Sequence, residues 1–318
     1  MKPKASTRSF FAEWKSSAGL SLFDLMHGYV YLRWPYFYIA NALGRHPLSR
    51  VMAAVYAVVT RLVHWRGTKP GSGSGGPSPL ANGYHGKVVP LEGARKLVNV
   101  KHDLTVRNLE QVLPYPVAKD IVLRHPDHLA VLQCPCRSAR EHPCRPLDVC
   151  LIVGEPFAGF VLEHHPKKSR RIDADEAVAI LEAEDRRGHV HHAFFKDAML
   201  GRFYAICNCC RCCCGAMQAH RHGIPMLASS GFVAEVDRLR CVACGSCAKF
   251  CQFEAVRYVD GRKIVDEARC LGCGVCVPKC TRGAIHLRRD PARGTPLEIE
   301  PLVTSAAGAA AIGRAANC

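Results

Sequence analysis

The sequence has no Gly-x-Gly-x-x-Gly turn opening a helix after a strand, no phosphate-binding P-loop and no flavin fingerprint. Pyridine-nucleotide, flavin and ATP chemistry are therefore set aside for this chain. It also lacks an uninterrupted apolar run of the roughly 18–20 residues that a membrane-spanning helix needs. Gly28–Leu43 is broken by Arg33 and Pro35, and Leu48–Trp65 carries Arg50 and Arg61. The first residues show no compact apolar core followed by a small-residue cleavage site, so no secretory signal is expected. Acidic residues are scarce, with 27 Asp and Glu against 43 Lys and Arg and a formal charge of +16. No nucleic-acid motif accompanies that charge, so nucleic acid is set aside as a partner. An acidic redox protein or an anionic membrane face suits it better.

Cysteine is what the chain has in excess, with 19 in 318 residues. Neighbours such as Cys209-Cys210 and Cys212-Cys213-Cys214 are badly placed to form ordinary disulfides with one another. Clustered thiols in a long chain without a secretory signal point to metal-bound thiolates in a reducing cytoplasm.

The clearest pattern is a repeat with a 29-residue offset. Cys241, Cys244, Cys247 and Cys251 match Cys270, Cys273, Cys276 and Cys280, and both runs read C-x2-C-x2-C-x3-C. Three cysteines three residues apart wrap one corner of an iron–sulfur cubane, with Gly245 and Gly274 easing the backbone around it. Two zinc sites are a poor alternative, because tetrahedral zinc favours separated C-x2-C pairs. Over roughly residues 236–287 the chain resembles the bacterial two-[4Fe–4S] ferredoxin family. The resemblance implies that Cys241, Cys244, Cys247 and Cys280 hold one cluster, and that Cys270, Cys273, Cys276 and Cys251 hold the other. Ala255-Val256 and Ala284-Ile285 follow the runs in register, and Asp260-Gly261 reads as a hairpin turn. The chain departs from the family in having Gln252 and Thr281 where proline usually follows the fourth cysteine.

Ten further cysteines lie upstream. Cys134, Cys136, Cys144 and Cys150 fall within 17 residues, and Cys207, Cys210 and Cys213 form a C-x2-C-x2-C triplet with Cys209 and Cys212 in a second register. These are expected to hold one or two more clusters. Zinc at Cys134, Cys136, Cys144 and Cys150 is the alternative. The chain is also similar to larger iron–sulfur proteins that join CPCR and CNCC-x-CCC segments to a C-terminal ferredoxin domain. That likeness implies no particular reaction. His189, His191 and His192 offer ligands or a proton donor, with His191 first in line as the donor.

The expected fold class is α+β. Residues 1–66 read as an apolar, amphipathic helical segment and 67–83 as a flexible Gly/Ser/Pro linker. Residues 84–235 form a cysteine-rich redox domain, 236–289 the dicluster module and 290–318 a loose tail. The strongest helix signal is Asp173–Arg187, capped by Asp173 with Glu176 and ended by Gly188; Pro116–His125 and Lys196–Ala205 are further helix candidates. Tyr, Trp and Arg beside an apolar face suit residues 1–66 to a membrane surface, or to packing on the protein's own core. Electron transfer to a partner is the leading function. A reductase that binds its own substrate beside an upstream cluster is the alternative.

Overall fold

The structure, a computed structural model, describes residues 3–17, 20–65, 84–106, 109, 112, 121–259 and 262–301. The expected linker at 67–83, the turn at Asp260-Gly261 and Cys318 lie outside them.

The middle of the chain folds into one eight-stranded sheet. Its strands are β1 (Tyr84–Val89), β2 (Leu104–Val106), β3 (Ile121–Gln133), β4 (Asp148–Glu155), β5 (Ser169–Ile172), β6 (Val190–Lys196), β7 (Arg202–Cys209) and β8 (Leu227–Ala228). They run in the order β2-β3-β4-β7-β6-β1-β8, with β5 added beside β3. Every pairing is antiparallel except β1 with β8. Helices cover both faces, which is why β6 is buried at every position instead of alternating.

One face packs against α5 (Leu91–Val98) and α8 (Ala174–Arg186), around Leu97, Leu151, Leu181, Phe195 and Phe203. Asp173 caps α8 by accepting from the Glu176 amide (2.8 Å), as its sequence predicts. The opposite face packs against α1 (Ala5–Ser16), α2 (Leu22–Arg33) and α7 (Phe157–His164), around Phe10, Leu25, Leu32, Phe160 and Phe194.

The N-terminal helices are thus built into the sheet's second layer. Pro35 ends α2 and starts α3 (Pro35–Ala42), because its ring cannot continue the preceding helix but suits a first turn. Ser21 and Asp24 form a capping box on α2. Glu163 on α7 accepts from the Ser6 amide (2.9 Å), and Glu13 pairs with Arg202 (3.1 Å). Beyond them α4 (Ser49–Trp65) leaves Val51, Met52, Val55 and Val58 exposed. No described helix is long and apolar enough to cross a membrane.

Two helix expectations are corrected. Residues 121–125 belong to β3, whose Ile121 and Leu123 alternate inward and pair with β2. Lys196–Ala205 is a reversal: β6 runs through Lys196, a 3-10 turn spans Asp197–Met199, and β7 returns from Arg202. Leu200 and Gly201 take left-handed φ of 59° and 65° there, a turn no helix contains. The tail is also packed further than expected, since Leu297 and Ile299 are buried beside α5 and α8.

The C-terminal module follows β8. Strand β9 (Phe232–Val236) pairs with β12 (Ile285–Arg289), and β10 (Val256–Val259) pairs with β11 (Arg262–Val265).

A methyl group on Gly28 of α2 would stand 1.9 Å from the Ala198 carbonyl oxygen on the β6–β7 turn. Gly28→Ala should therefore lower stability by about 2 kcal/mol, read as a reduced thermal midpoint, because backbone on a packed turn cannot retreat cheaply. An unchanged midpoint would show that α2 does not pack on the sheet.

Candidate metal centres

The 29-residue repeat of the sequence is also a repeat of backbone shape. Left-handed φ occurs at Ala243 (56°) and Gly272 (65°), at Gly245 (93°) and Gly274 (81°), and at Glu254 (55°) and Gly283 (57°). Each pair is 29 residues apart. The thiol environments repeat as well: the Ala255 amide donates to Cys251 Sγ and the Ala284 amide to Cys280 Sγ, both at 3.2 Å. Amide donors to sulfur favour the thiolate and raise the potential of a bound cluster.

Cys251 from the first run lines one cavity with Cys270, Cys273 and Cys276 from the second. Its other walls are apolar, including Phe253, Leu271, Val275 and Leu287. Burial raises the Cys273 thiol well above its usual range and pushes Cys276 up to about 12. Four thiols converging in an apolar cavity fit a group that binds them as thiolates, since unpaired thiolates would be costly there. Cys241, Cys247 and Cys280 are half-buried, and Cys244 is exposed. The two ends of the module therefore differ sharply in solvent access.

The ten upstream cysteines separate into a group of six and a group of four. Cys150 and Cys207 are opposite each other on β4 and β7, with sulfurs 3.7 Å apart. Cys134, at the end of β3, lies against Cys136 and Cys150. Cys209 meets Cys214, which precedes α9 (Gly215–Arg221). These six share the sheet face covered by the N-terminal helices. Hydrogen bonds from Cys136 and Cys150 lower the Cys134 thiol, while those two are raised.

Tyr31 of α2 and Tyr36 of α3 lie over this group. Tyr31 Oη meets Tyr204 Oη at 3.0 Å, and Tyr36 donates to the Gln133 carbonyl at 3.0 Å. Burial raises both phenols, and the charge of nearby cysteines adds to the shift.

The other four, Cys144, Cys210, Cys212 and Cys213, place all their sulfurs within 4.8 Å of one another. Of the expected C-x2-C-x2-C triplet, Cys210 and Cys213 belong to this compact group and Cys207 does not. Cys207 points from a strand onto the sheet face, whereas Cys210 and Cys213 sit in the turn after β7. Likewise Cys144 parts from Cys134, Cys136 and Cys150.

Residues beside the cysteines hold these segments in place. Arg137, 1% exposed, donates to Glu184 (2.6 Å) and to the Asn208 carbonyl (2.9 Å), and its other nitrogen donates to the Pro146 carbonyl. Asn208 donates to the Val149 carbonyl (2.7 Å), and its Oδ1 accepts from His191 Nδ1 (2.6 Å). Burial alone would raise the Glu184 carboxyl, but the hydrogen bond with His189 and the charge of Arg137 hold it below its usual range. Arg137 and Asn208 stand in the CPCR and CNCC segments, and that adjacency was the signal available for their role.

Of the neighbouring histidines on β6, His192 and not His191 shares the sheet face of the thiols. His192 faces the same side as its cross-strand neighbour Cys207, while His191 points toward Asn208 and Asp185 on the other. Both ring nitrogens of His192 are buried. Burial lowers its pKa to about 3.

The turn carrying Cys210–Cys213 touches the C-terminal module. The Arg211 amide donates to Gln252 Oε1 and its guanidinium pairs with Glu254, each at 3.1 Å. Gln252 occupies the position where the ferredoxin family usually has proline, so that departure creates a contact.

Residues 240–285 match the 4Fe-4S dicluster domain family. The C-terminal segment is a dicluster ferredoxin-like module. It carries [4Fe–4S] clusters, and the protein binds iron–sulfur centres that transfer electrons. No curated protein and no solved structure matches the chain.

The two halves of the module respond differently to one methyl group. A Cβ at Gly272 would lie 2.1 Å from the Phe232 carbonyl oxygen, whereas Ala243, its counterpart, already carries a Cβ. Gly272→Ala should cost about 3 kcal/mol and reduce cluster absorbance, while Ala243→Gly should leave both within about 1 kcal/mol of the wild type. Thermal melts and visible spectra of anaerobically purified variants check this; equal effects would contradict the asymmetry.

Proposed function

We propose that this protein is an electron carrier that passes low-potential electrons between a docked partner and centres buried under its N-terminal helices. In this reading Cys241, Cys244, Cys247 and Cys280 hold the outer cluster, and Cys251, Cys270, Cys273 and Cys276 hold the inner one. The observation that carries the proposal is the gradient of exposure along the module. At the outer end Leu239 is 99% and Val242 60% exposed, next to Cys241 and the exposed Cys244. At the inner end the Cys251–Glu254 loop meets the thiol-bearing turn of the middle domain. A carrier needs one open face and one face joined to its internal acceptor.

Arg238, Arg240, Lys249 and Arg282 are exposed around the outer end. They suit an acidic protein partner, whose approach such charges would steer. The six-thiol group is the internal destination. It has enough ligands for a further [4Fe–4S] cluster, and it lies out of solvent. His192 beside Cys207 favours a second reading, in which that group reduces a bound substrate held against the neutral imidazole of His192. Sustained electron uptake without any protein acceptor, abolished by His192→Phe, would select the second reading.

The partner-docking proposal gives a kinetic expectation. Electron transfer from a reduced, acidic flavodoxin should slow several-fold as salt rises from about 20 to 200 mM, because surface charges are screened over that range. Leu239→Glu should slow it by about tenfold at unchanged iron content, since it adds like charge and removes apolar contact. Stopped-flow absorbance measures both, and a salt-independent rate equal in the two proteins contradicts the docking face.

We further propose that α4 attaches the protein to anionic membranes. Its exposed Val51, Val55 and Val58 with the nearby Arg50 supply the apolar and basic contacts of an interfacial helix. The full chain should co-sediment with vesicles rich in phosphatidylserine, and Val55→Asp with Val58→Asp should release it. Equal sedimentation of both proteins would sink the attachment.

A further inference from the structure

We propose that Cys144, Cys210, Cys212 and Cys213 hold a single tetrahedral metal ion, zinc or mononuclear iron, distinct from every [4Fe–4S] cluster of the chain. The argument begins with scale. Four thiolates around one such ion lie about 2.3 Å from it, so the edges of their tetrahedron are about 3.8 Å. In a cubane each thiolate binds a different iron, and the four sulfurs stand further apart. Here all four sulfurs lie within 4.8 Å of one another, with Cys212 at 3.0 Å from Cys144 and 3.7 Å from Cys213.

The dicluster module supplies an internal standard. Among the described residues, no three of its eight thiols approach within that limit, although both sets of four converge in the fold of their family. The upstream quartet is therefore mononuclear in size, while the module's thiols are not.

Hydrogen bonds fix the segments that carry the quartet. The turn is closed by the Cys213 and Cys214 amides, which donate to the Cys210 carbonyl at 3.3 and 3.0 Å. The Cys212 carbonyl accepts from Arg140 and from Gln218 Nε2 (2.9 Å). Charge fits as well, since a divalent ion with four thiolates is a dianion and Arg140 and Arg45 stand beside it. Arg45 is fixed by Gln218 Oε1 at 3.1 Å. Cys210 and Cys213 are buried, whereas Cys212 is exposed, so an ion can enter from solvent and stay shielded on its inner side. The remaining six upstream cysteines belong to the separate group under α2 and α3. The quartet is thus a complete ligand set of its own.

Such a closed four-thiolate site has no open position for substrate, which is the mark of a structural centre. Its position gives it a task. It clamps the loop bearing Cys144 to the turn that presents Arg211 to Gln252 and Glu254, and so fixes the joint between the dicluster module and the sheet.

Counting metal against acid-labile sulfide in the full-length protein, purified without oxygen, tests this directly. A cubane contributes iron and sulfide equally, whereas a mononuclear thiolate site contributes metal alone. Total iron plus zinc should exceed sulfide by about one per chain. In Cys212→Ser the excess should vanish while sulfide stays unchanged. The element lost identifies the ion: zinc, confirmed by four sulfur neighbours in zinc-edge X-ray absorption, or iron, confirmed by a high-spin ferric signal after mild oxidation. Equal metal and sulfide in the wild type would overturn the proposal, as would a Cys144–Cys212 disulfide in the reduced protein. Loss of about four sulfides per chain in Cys212→Ser would also overturn it. If that variant fails to fold, the wild-type balance still decides.

Discussion

A guanidinium removed from water needs an opposed charge, because removing one partner of a buried ion pair costs about 3–5 kcal/mol. Both terminal nitrogens of Arg137 find acceptors on three separate segments, while its Nε has none among the described residues. The acceptors are the Pro146 carbonyl before β4, Glu184 on α8 and the Asn208 carbonyl on β7. The same residues border the cysteines: Arg137 follows Cys136, Pro146 lies between Cys144 and Cys150, and Asn208 separates Cys207 from Cys209. Satisfying one buried cation therefore sets the positions of most upstream thiols. The bond from Asn208 to the Val149 carbonyl repeats the logic on a smaller scale, tying β7 to β4 next to the Cys150–Cys207 pair.

The dicluster module was legible in the sequence because its ligands are local. A spacing of three residues and an offset of 29 are statements about neighbours along the chain, and the left-handed backbone positions obey the same offset. The upstream thiols were not legible in that way. Cys150 meets Cys207 only through the register of β4 on β7, and no spacing encodes a register. The C-x2-C-x2-C triplet of Cys207, Cys210 and Cys213 is divided between a strand and a turn, because β7 ends between the first and the second of them. The helix expected over Lys196–Ala205 failed for a related reason: a sheet covered on both faces writes continuous apolar runs, which periodicity cannot separate from a buried helix. The N-terminal segment was readable as helical and apolar. That it packs on the thiol-bearing face depends on the close approach of Gly28 to Ala198, which only the folded chain displays.

Solvent access separates the outer cysteines of the module from the inner ones and from the core of the six-thiol group. Cys244 is open to water, Cys270 and Cys276 are enclosed, and Cys134, Cys150, Cys209 and Cys214 are buried on the sheet face under the N-terminal helices. Between the module and the sheet stands a joint made of polar contacts, Arg211 with Gln252 and Glu254. Substituting proline at 252 would remove the acceptor for the Arg211 amide. The departure from the family pattern is thus tied to the larger protein in which this module is embedded.

The cover formed by Tyr31 and Tyr36 has a consequence for how the protein is made. If the six-thiol group holds the further cluster proposed for it, iron and sulfide have to arrive while α2 and α3 stand away from the sheet face. Closing those helices over the filled thiols would then be the last step of assembly, so that the packing of Tyr31 and Tyr36 would report whether the inorganic parts are in place.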